Sequence, residues 1–426
     1  VAAQARTESA SELFRAADRY VDSMLYVASL DEPTTIYFGF PAYGEQLRLF
    51  NEDFLRMKIA QLQRLCDLNP NLRVELTACD DEYAQVHPKA AQGVHLHNDE
   101  IFRLILEGRY GEGRHDPTFD AWQVEASDQM LIRVVGVEDA IDREAAQPGS
   151  VPVLSEYTDK QAVTRSRRGG SNWYIMYIGE QRAAAHPGRD AYVAYSDADI
   201  STNLLQLGLL MRAQDEGADA AIASTEVEGA VLTSKSLGRK IKSLVYNVMV
   251  NWILGFSNPL FPFAGRVQDT QRGFKMFRPE LLRAMDDTFT IHSAEFAVDT
   301  QMLSQARMLG GDIREVPIAW MASEAESTVR SRDNVEMLAR VLQQRRDYVA
   351  PRQSRMRRLL GLPAVLAGGA MLYVLAARLD ANDRLNREAI ARFKGDMIAA
   401  EARATGRSPE ALEAEMDAFY AREGIA

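Results

Sequence analysis

The chain has 426 residues, 46% hydrophobic and 26% charged, which is ordinary for a folded protein and enough for one large α/β domain with appendages. A net charge of −11 supplies no dominating basic field and argues against a general nucleic-acid binder. Two cysteines, Cys66 and Cys79, are too few for a disulfide framework or a cysteine-based metal site; they fit a reducing compartment and read as buried free thiols. No basic-then-apolar leader opens the sequence, so no signal peptide is expected.

Residues 8–30 carry apolar side chains at helical spacing and read as a packing or oligomerisation helix. The run from Thr34 to Phe40 is a first buried strand, leaving through Pro41-Ala-Tyr43-Gly-Glu45, a tight turn or a ligand loop. An amphipathic helix follows over 54–68, broken by Asn69-Pro70-Asn71, then a second strand over 72–79 that ends in Asp80-Asp81-Glu82. A helix between two strands implies a parallel βαβ unit. Residues 84–150 hold His87, His95, His97 and His115, four of the six histidines. A His-x-His pair on a strand can bind zinc, but no third ligand stands at a recognisable spacing, so a polar surface insertion with a strand somewhere in 126–137 is expected. The sheet is expected to resume at 151–155. Thr164-Arg-Ser-Arg-Arg168-Gly-Gly-Ser-Asn is either a phosphate-binding or a solvated basic loop before a helix over 173–185.

The stretch from Ala191 to Ser201 is an apolar run that stops at two carboxylates one residue apart, Asp197 and Asp199. Open α/β sheets keep their ligands at the carboxyl ends of such strands, and residues two apart in an extended segment face the same way, so the pair can meet one hard divalent cation. The same residues also read as an N-cap for a helix over 202–214. A strand at 219–225 comes next. Residues 234–255 form a helix basic at its front and apolar at its back, and Gln268-Asp-Thr-Gln-Arg-Gly-Phe-Lys-Met-Phe277 and Ile313-Arg-Glu-Val-Pro-Ile-Ala-Trp320 follow.

In that order, the aspartate-any-aspartate strand end, the DTQ-x-GFK segment and the EVP-hydrophobic-x-W strand resemble family 2 glycosyltransferases of the GT-A fold, specifically the branch of dolichyl- and polyprenyl-phosphate glucosyltransferases. The resemblance covers roughly residues 34–82 and 151–335. It implies an α/β, GT-A fold with a mostly parallel, Rossmann-like sheet flanked by helices, a UDP-hexose donor, Mg2+ or Mn2+ on Asp197 and Asp199, and a polyprenyl-phosphate acceptor at a membrane. It implies nucleotide contacts at Pro41, Tyr43, Glu45, Asp80, Asp81, Arg168 and Asp197, with Asp80 or Asp81 accepting from the base. It places Asp269 and Gln271 facing the sugar, Asp299 as a further catalytic acid, and Arg239, Lys240, Lys242 and Arg330 on the acceptor phosphate. His292 stands near as a third metal ligand or a structural histidine. Gly44, Glu82-Tyr83, Thr225-Glu226 and Ala297 depart from the family pattern.

An uncharged apolar run over 359–377 would nearly cross a hydrocarbon core of about 30 Å, and Arg345, Arg346, Arg352, Arg355, Arg357 and Arg358 precede it. That basic cluster suits an anionic cytoplasmic membrane surface; the run reads equally as a spanning or as an interfacial or buried helix. The expected organisation is an N-terminal helix (1–33), a catalytic domain (34–335, with 84–150 inserted), membrane-associated helices (336–378) and a helical tail (379–426), with the catalytic domain cytoplasmic and a homo-oligomer possible. Two further readings keep the donor site: a transferase with a sugar or protein hydroxyl as acceptor, and a nucleotide-sugar-binding scaffold without catalysis. A nucleotidyltransferase is disfavoured because the first strand lacks a Gly-x-Gly-x-Arg loop.

Overall fold

The computed structural model describes residues 2–42, 54–81, 98–158, 169–232, 247–256, 267–289, 297–320 and 339–349, together with 351 and 408. Its order is α1 (Ala2–Ala28), β1 (Thr34–Ala42), α2 (Phe54–Cys66), β2 (Leu72–Asp80), α3 (Asn98–Tyr110), β3 (Arg114–Asp116), β4 (Ala121–Ser127), β5 (Met130–Gly136), α4 (Val137–Ala146), α5 (Gly169–Ala185), β6 (Asp190–Ser196), α6 (Leu207–Asp215), β7 (Ala220–Ser224), β8 (Val231–Leu232), β9 (Phe274–Phe277), α7 (Pro279–Thr288), α8 (Val298–Met308), β10 (Ile313–Pro317) and β11 (Ala319–Trp320). Nine strands make one mixed sheet in the order β10-β7-β9-β6-β1-β2-β5-β4-β3, and β8 pairs with β11 beside it. Strand β9 runs antiparallel between β6 and β7, and β4 and β3 form an antiparallel edge; the other ladders are parallel.

Every residue of β1 is buried, as a central strand covered on both faces requires. Its alternation sorts the core: Ile36, Phe38 and Phe40 pack with α2, α3 and α6, while Tyr37 packs with α4, α5, α7 and α8 on the other face. Helix α5 crosses β1 and β6 closely. A Cβ at Gly39 would fall 2.4 Å from Ile175, and one at Gly179 would fall 2.4 Å from Val193.

The first helix packs on its own chain. A Cβ on Gly208 of α6 would sit 2.4 Å from the Ser23 carbonyl oxygen and 2.9 Å from Val27 of α1, so the two backbones meet there without room for a side chain. Asn69 locks the same end by donating to the carbonyls of Val27 and Leu30, each at 2.8 Å. Gly208→Ala should therefore cost about 1–3 kcal/mol in urea unfolding through the forced shift of α1. Gly108→Ala in α3 serves as control, because a Cβ there meets nothing within 4 Å and gains up to about 1 kcal/mol of helix propensity.

Three expectations are corrected. Residues 98–150 are not a polar surface loop: they supply α3, β3, β4, β5 and α4, and β5, inside the 126–137 window where a strand was expected, pairs parallel to β2. The apolar run at 151–155 is not a strand but part of a 3-10 helix over Pro152–Tyr157, with Pro152 at its first turn, where the missing N–H costs nothing. The helix expected over 202–214 begins later, with a 3-10 turn at Leu204–Gln206 capped by Asn203, whose side chain accepts from the Leu205 amide at 2.9 Å. Thr202 instead bridges to Trp320.

Among the described residues no helix is long and apolar enough to cross a membrane, and the run at 359–377 lies outside them. Arg345 leaves the basic cluster assigned to a membrane surface. It is buried, its Nη1 donates to the Ile253 carbonyl at 2.5 Å, and burial lowers its pKa. Val341 and Val349 flank it in a cluster with Val250, Ile253 and Leu254.

Candidate active site at the carboxyl edge of the sheet

The chain builds β2 on one side of β1 and later β6 on the other, so the edge beyond the carboxyl ends of β1 and β6 is the topological switch point, the place where open α/β sheets bind ligands. Pro41 and Ala42 end β1 there and Asp80 ends β2, with the Asp81 amide donating to the Ala42 carbonyl at 2.8 Å. Strand β6 ends at Ser196, directly opposite Phe274 of β9. The Asp197 amide then donates to the Gly273 carbonyl at 2.9 Å, and the aspartate pair and the 267–273 loop become neighbours.

Asp197 and Asp199 are both half-buried. Asp199 Oδ1 accepts from the Ser201 amide at 3.1 Å and the Ser201 hydroxyl at 2.6 Å, closing a local turn that fixes its carboxylate. Among the described residues no group of three or more His, Cys, Asp and Glu could hold a metal ion. Two carboxylates at this spacing still fit Mg2+ or Mn2+, which take one or two protein carboxylates and complete their shell with phosphate oxygens and water. Behind the pair, Lys58 of α2 donates through Nζ to the Asp197 carbonyl at 2.9 Å and to Ser196 Oγ at 3.1 Å. Burial lowers its pKa to about 8 against the opposing pull of Asp199 and Asp197.

The second wall is the loop 267–273, held from three sides. Glu315 of β10 accepts the Gln268 amide at 2.7 Å and the Asp269 amide at 2.8 Å; its own pKa is raised by burial, which these donors partly oppose. From the helical segment 247–254, Asn247 Oδ1 accepts the Thr270 hydroxyl at 2.7 Å, while Asn251 exchanges two 2.7 Å hydrogen bonds with the Val267 backbone. At the end of β7, Thr225 donates its amide and hydroxyl to Asp269 Oδ2 at 3.1 and 3.0 Å. Arg272 bonds the Thr225 hydroxyl at 2.8 Å, lies 3.4 Å from Asp269 Oδ2, and stacks its guanidinium 4.9 Å from the Trp320 ring centre. The three motif segments are thus one hydrogen-bonded unit.

Two amides at this edge have polar atoms without a protein partner among the described residues. Gln271 Nε2 is one. Asn172, near the start of α5, is fully buried with both side-chain atoms unpartnered, and it lies one turn before Ile175, which covers Gly39 of β1. A buried amide without partners costs free energy unless a polar ligand supplies them.

Asp269 and Gln271 stand at this edge, as do Asp80, Asp81 and Pro41. Asp299, expected among the catalytic residues, is 0% exposed, and its Oδ1 accepts from Lys275 Nζ and from the Tyr195 hydroxyl, both at 2.5 Å. That is the geometry of an internal counter-ion. Tyr43, Glu45, Arg168, Arg239, Lys240, Lys242, Arg330, His292 and the His95-x-His97 pair lie outside the described residues. His115 is exposed and pairs with Asp120 at 2.7 Å.

Lys58, Asn247 and Asn251 belong to none of the sequence motifs, and the EVP pattern does not give the structural use of Glu315. Lys58 carried a signal: it sits in the apolar stripe Leu55, Ile59, Leu62 of an amphipathic helix, where a lysine needs a buried partner. Neither protein-family models nor curated proteins give a match to the chain.

Proposed function

We propose that the chain is a GT-A glycosyltransferase that moves a hexose from a UDP-sugar to a polyprenyl phosphate, with Mg2+ or Mn2+, at a membrane and with its catalytic domain on the cytoplasmic side. The observation that carries the reading is the hydrogen bond from the Asp197 amide to the Gly273 carbonyl, because it joins the aspartate pair to the 267–273 loop at the switch point of the sheet. The sheet order, with one antiparallel strand between β6 and β7, agrees with a nucleotide-binding half joined to an acceptor-facing half.

Asp197 and Asp199 would hold the cation, whose charge neutralises the departing diphosphate. Asp80 or Asp81 receives the base, and the free donor of Gln271 meets a sugar hydroxyl. The acceptor oxygen attacks the anomeric carbon from the face opposite the diphosphate; the new C–O bond forms as the bond to the β-phosphate oxygen breaks, and the electron pair leaves on UDP. A phosphate monoester has a second pKa of about 6 and is mostly dianionic at neutral pH, so the attack requires no protein base.

Asp269 favours this acceptor over a hydroxyl. Its Oδ2 already accepts from the Thr225 amide, the Thr225 hydroxyl and Arg272, which suits orientation of the loop rather than uptake of a proton. The test is turnover of a UDP-hexose panel by the full chain, with and without a short polyprenyl phosphate and with Mn2+ or EDTA. Release of UDP only with lipid phosphate and metal is expected. Transfer to alcohols but not to lipid phosphate would replace the acceptor, and binding without turnover under every acceptor would leave a scaffold.

A further inference from the structure

Lys58 is 1% exposed, and its ammonium lies between Phe40, whose ring centre is 5.2 Å away, and the end of β6. A buried ammonium is retained only where it finds strong partners. Its hydrogen bonds go to the Asp197 carbonyl and the Ser196 hydroxyl, and none goes to either carboxylate. The cation therefore ties the backbone that carries Asp197 and Asp199 to helix α2 without consuming their carboxylate oxygens. On the other side, the same backbone is tied to the 267–273 loop through the Asp197 amide and the Gly273 carbonyl. Asp197 is clamped at both of its peptide groups, one by the 267–273 loop and one by a buried lysine.

We infer that Lys58 is a positioning residue: it holds the end of β6 in the shape that presents Asp197 and Asp199 to one divalent cation, and so sets the affinity for that cation while touching neither it nor the substrate. The inference rests on the reading of Asp197 and Asp199 as metal ligands. It has a definite sign. If Lys58 acted only as a nearby positive charge, removing it would relieve repulsion and tighten metal binding; removing a strut loosens the pair and weakens binding. Outer-shell partners of metal ligands typically contribute about 10–100-fold in affinity.

The experiment is titration of Mn2+ into the full chain, followed by the electron paramagnetic resonance signal of free Mn2+, for wild type, Lys58→Met, Ser196→Ala and Asp197→Asn. Lys58→Met fills the same volume without charge, so its thermal midpoint in EDTA is expected within a few degrees of wild type while its Mn2+ affinity falls about tenfold or more. Unchanged or tighter Mn2+ binding by a folded Lys58→Met overturns the inference. Should Lys58→Met fail to fold, Ser196→Ala decides, since it removes one of the two hydrogen bonds at little cost in volume: a threefold or greater weakening supports positioning, and a smaller change overturns it. A wild type that binds no Mn2+, matching Asp197→Asn, overturns the metal reading itself and the inference with it, which separates the two failures.

Discussion

Asp197→Asn/Asp199→Asn is expected to lower metal-dependent UDP release at least about 10³-fold while leaving the fold intact, as read by circular dichroism and thermal midpoint. The expectation follows from charge. Each asparagine keeps the shape and one acceptor oxygen of the aspartate, so the Ser201 turn closed by Asp199 Oδ1 survives. What disappears is the pair of negative charges that, on the proposed reading, would draw a divalent cation to the end of β6. Both side chains are half-buried, so neither asparagine is itself stranded in the core; the buried Lys58 ammonium loses the two carboxylate charges that oppose its desolvation, and a somewhat lower thermal midpoint with an unchanged fold is expected. A double variant that turned over at the wild-type rate would remove the aspartate pair from the mechanism.

Lys275→Met or Asp299→Leu alone is expected to destabilise the protein by about 3–5 kcal/mol, and the two together to restore most of that loss. Both side chains are 0% exposed and 2.5 Å apart, and the Tyr195 hydroxyl shares the carboxylate. Removing one partner strands the other's charge in the core, whereas an apolar pair of similar volume strands no charge and costs only the acceptor of the buried Tyr195 hydroxyl. Urea unfolding of the four proteins gives the coupling energy directly. Equal losses that simply add would show that the pair is not an internal ion pair and would return Asp299 to consideration as a group facing substrate.

The framework strands were legible because β1, β2, β6 and β7 are short apolar runs with clear punctuation: Asn69-Pro70-Asn71 before β2 and Pro187-Gly188 before β6. The half built by residues 98–150 was not. Its strands β4 and β5 carry Gln123 and Arg133 in the interior, and a buried arginine makes sense only once Glu75 of β2 is seen 3.5 Å away. Val151-Pro-Val-Leu misled in the opposite direction, since an apolar run reads as a strand while its proline favours the first turn of a helix. At the site, the three motif segments were legible as short patterns, but their shared hydrogen bonds were not. Asn247 and Asn251 reach residues far along the chain, and no periodicity announces a partner of that kind. Lys58 was readable as an exception on an apolar stripe; its role as a clamp on Asp197 required coordinates.

On the proposed function, the carboxyl edge between β1 and β6 is a metal-dependent nucleotide site. Calorimetric titration of UDP into the full chain, in Mn2+ and again in EDTA, tests it most directly. Saturable one-to-one binding is expected in Mn2+, lost in EDTA and in Asp197→Asn/Asp199→Asn. UDP binding of equal strength in all three conditions, or in none, would contradict it.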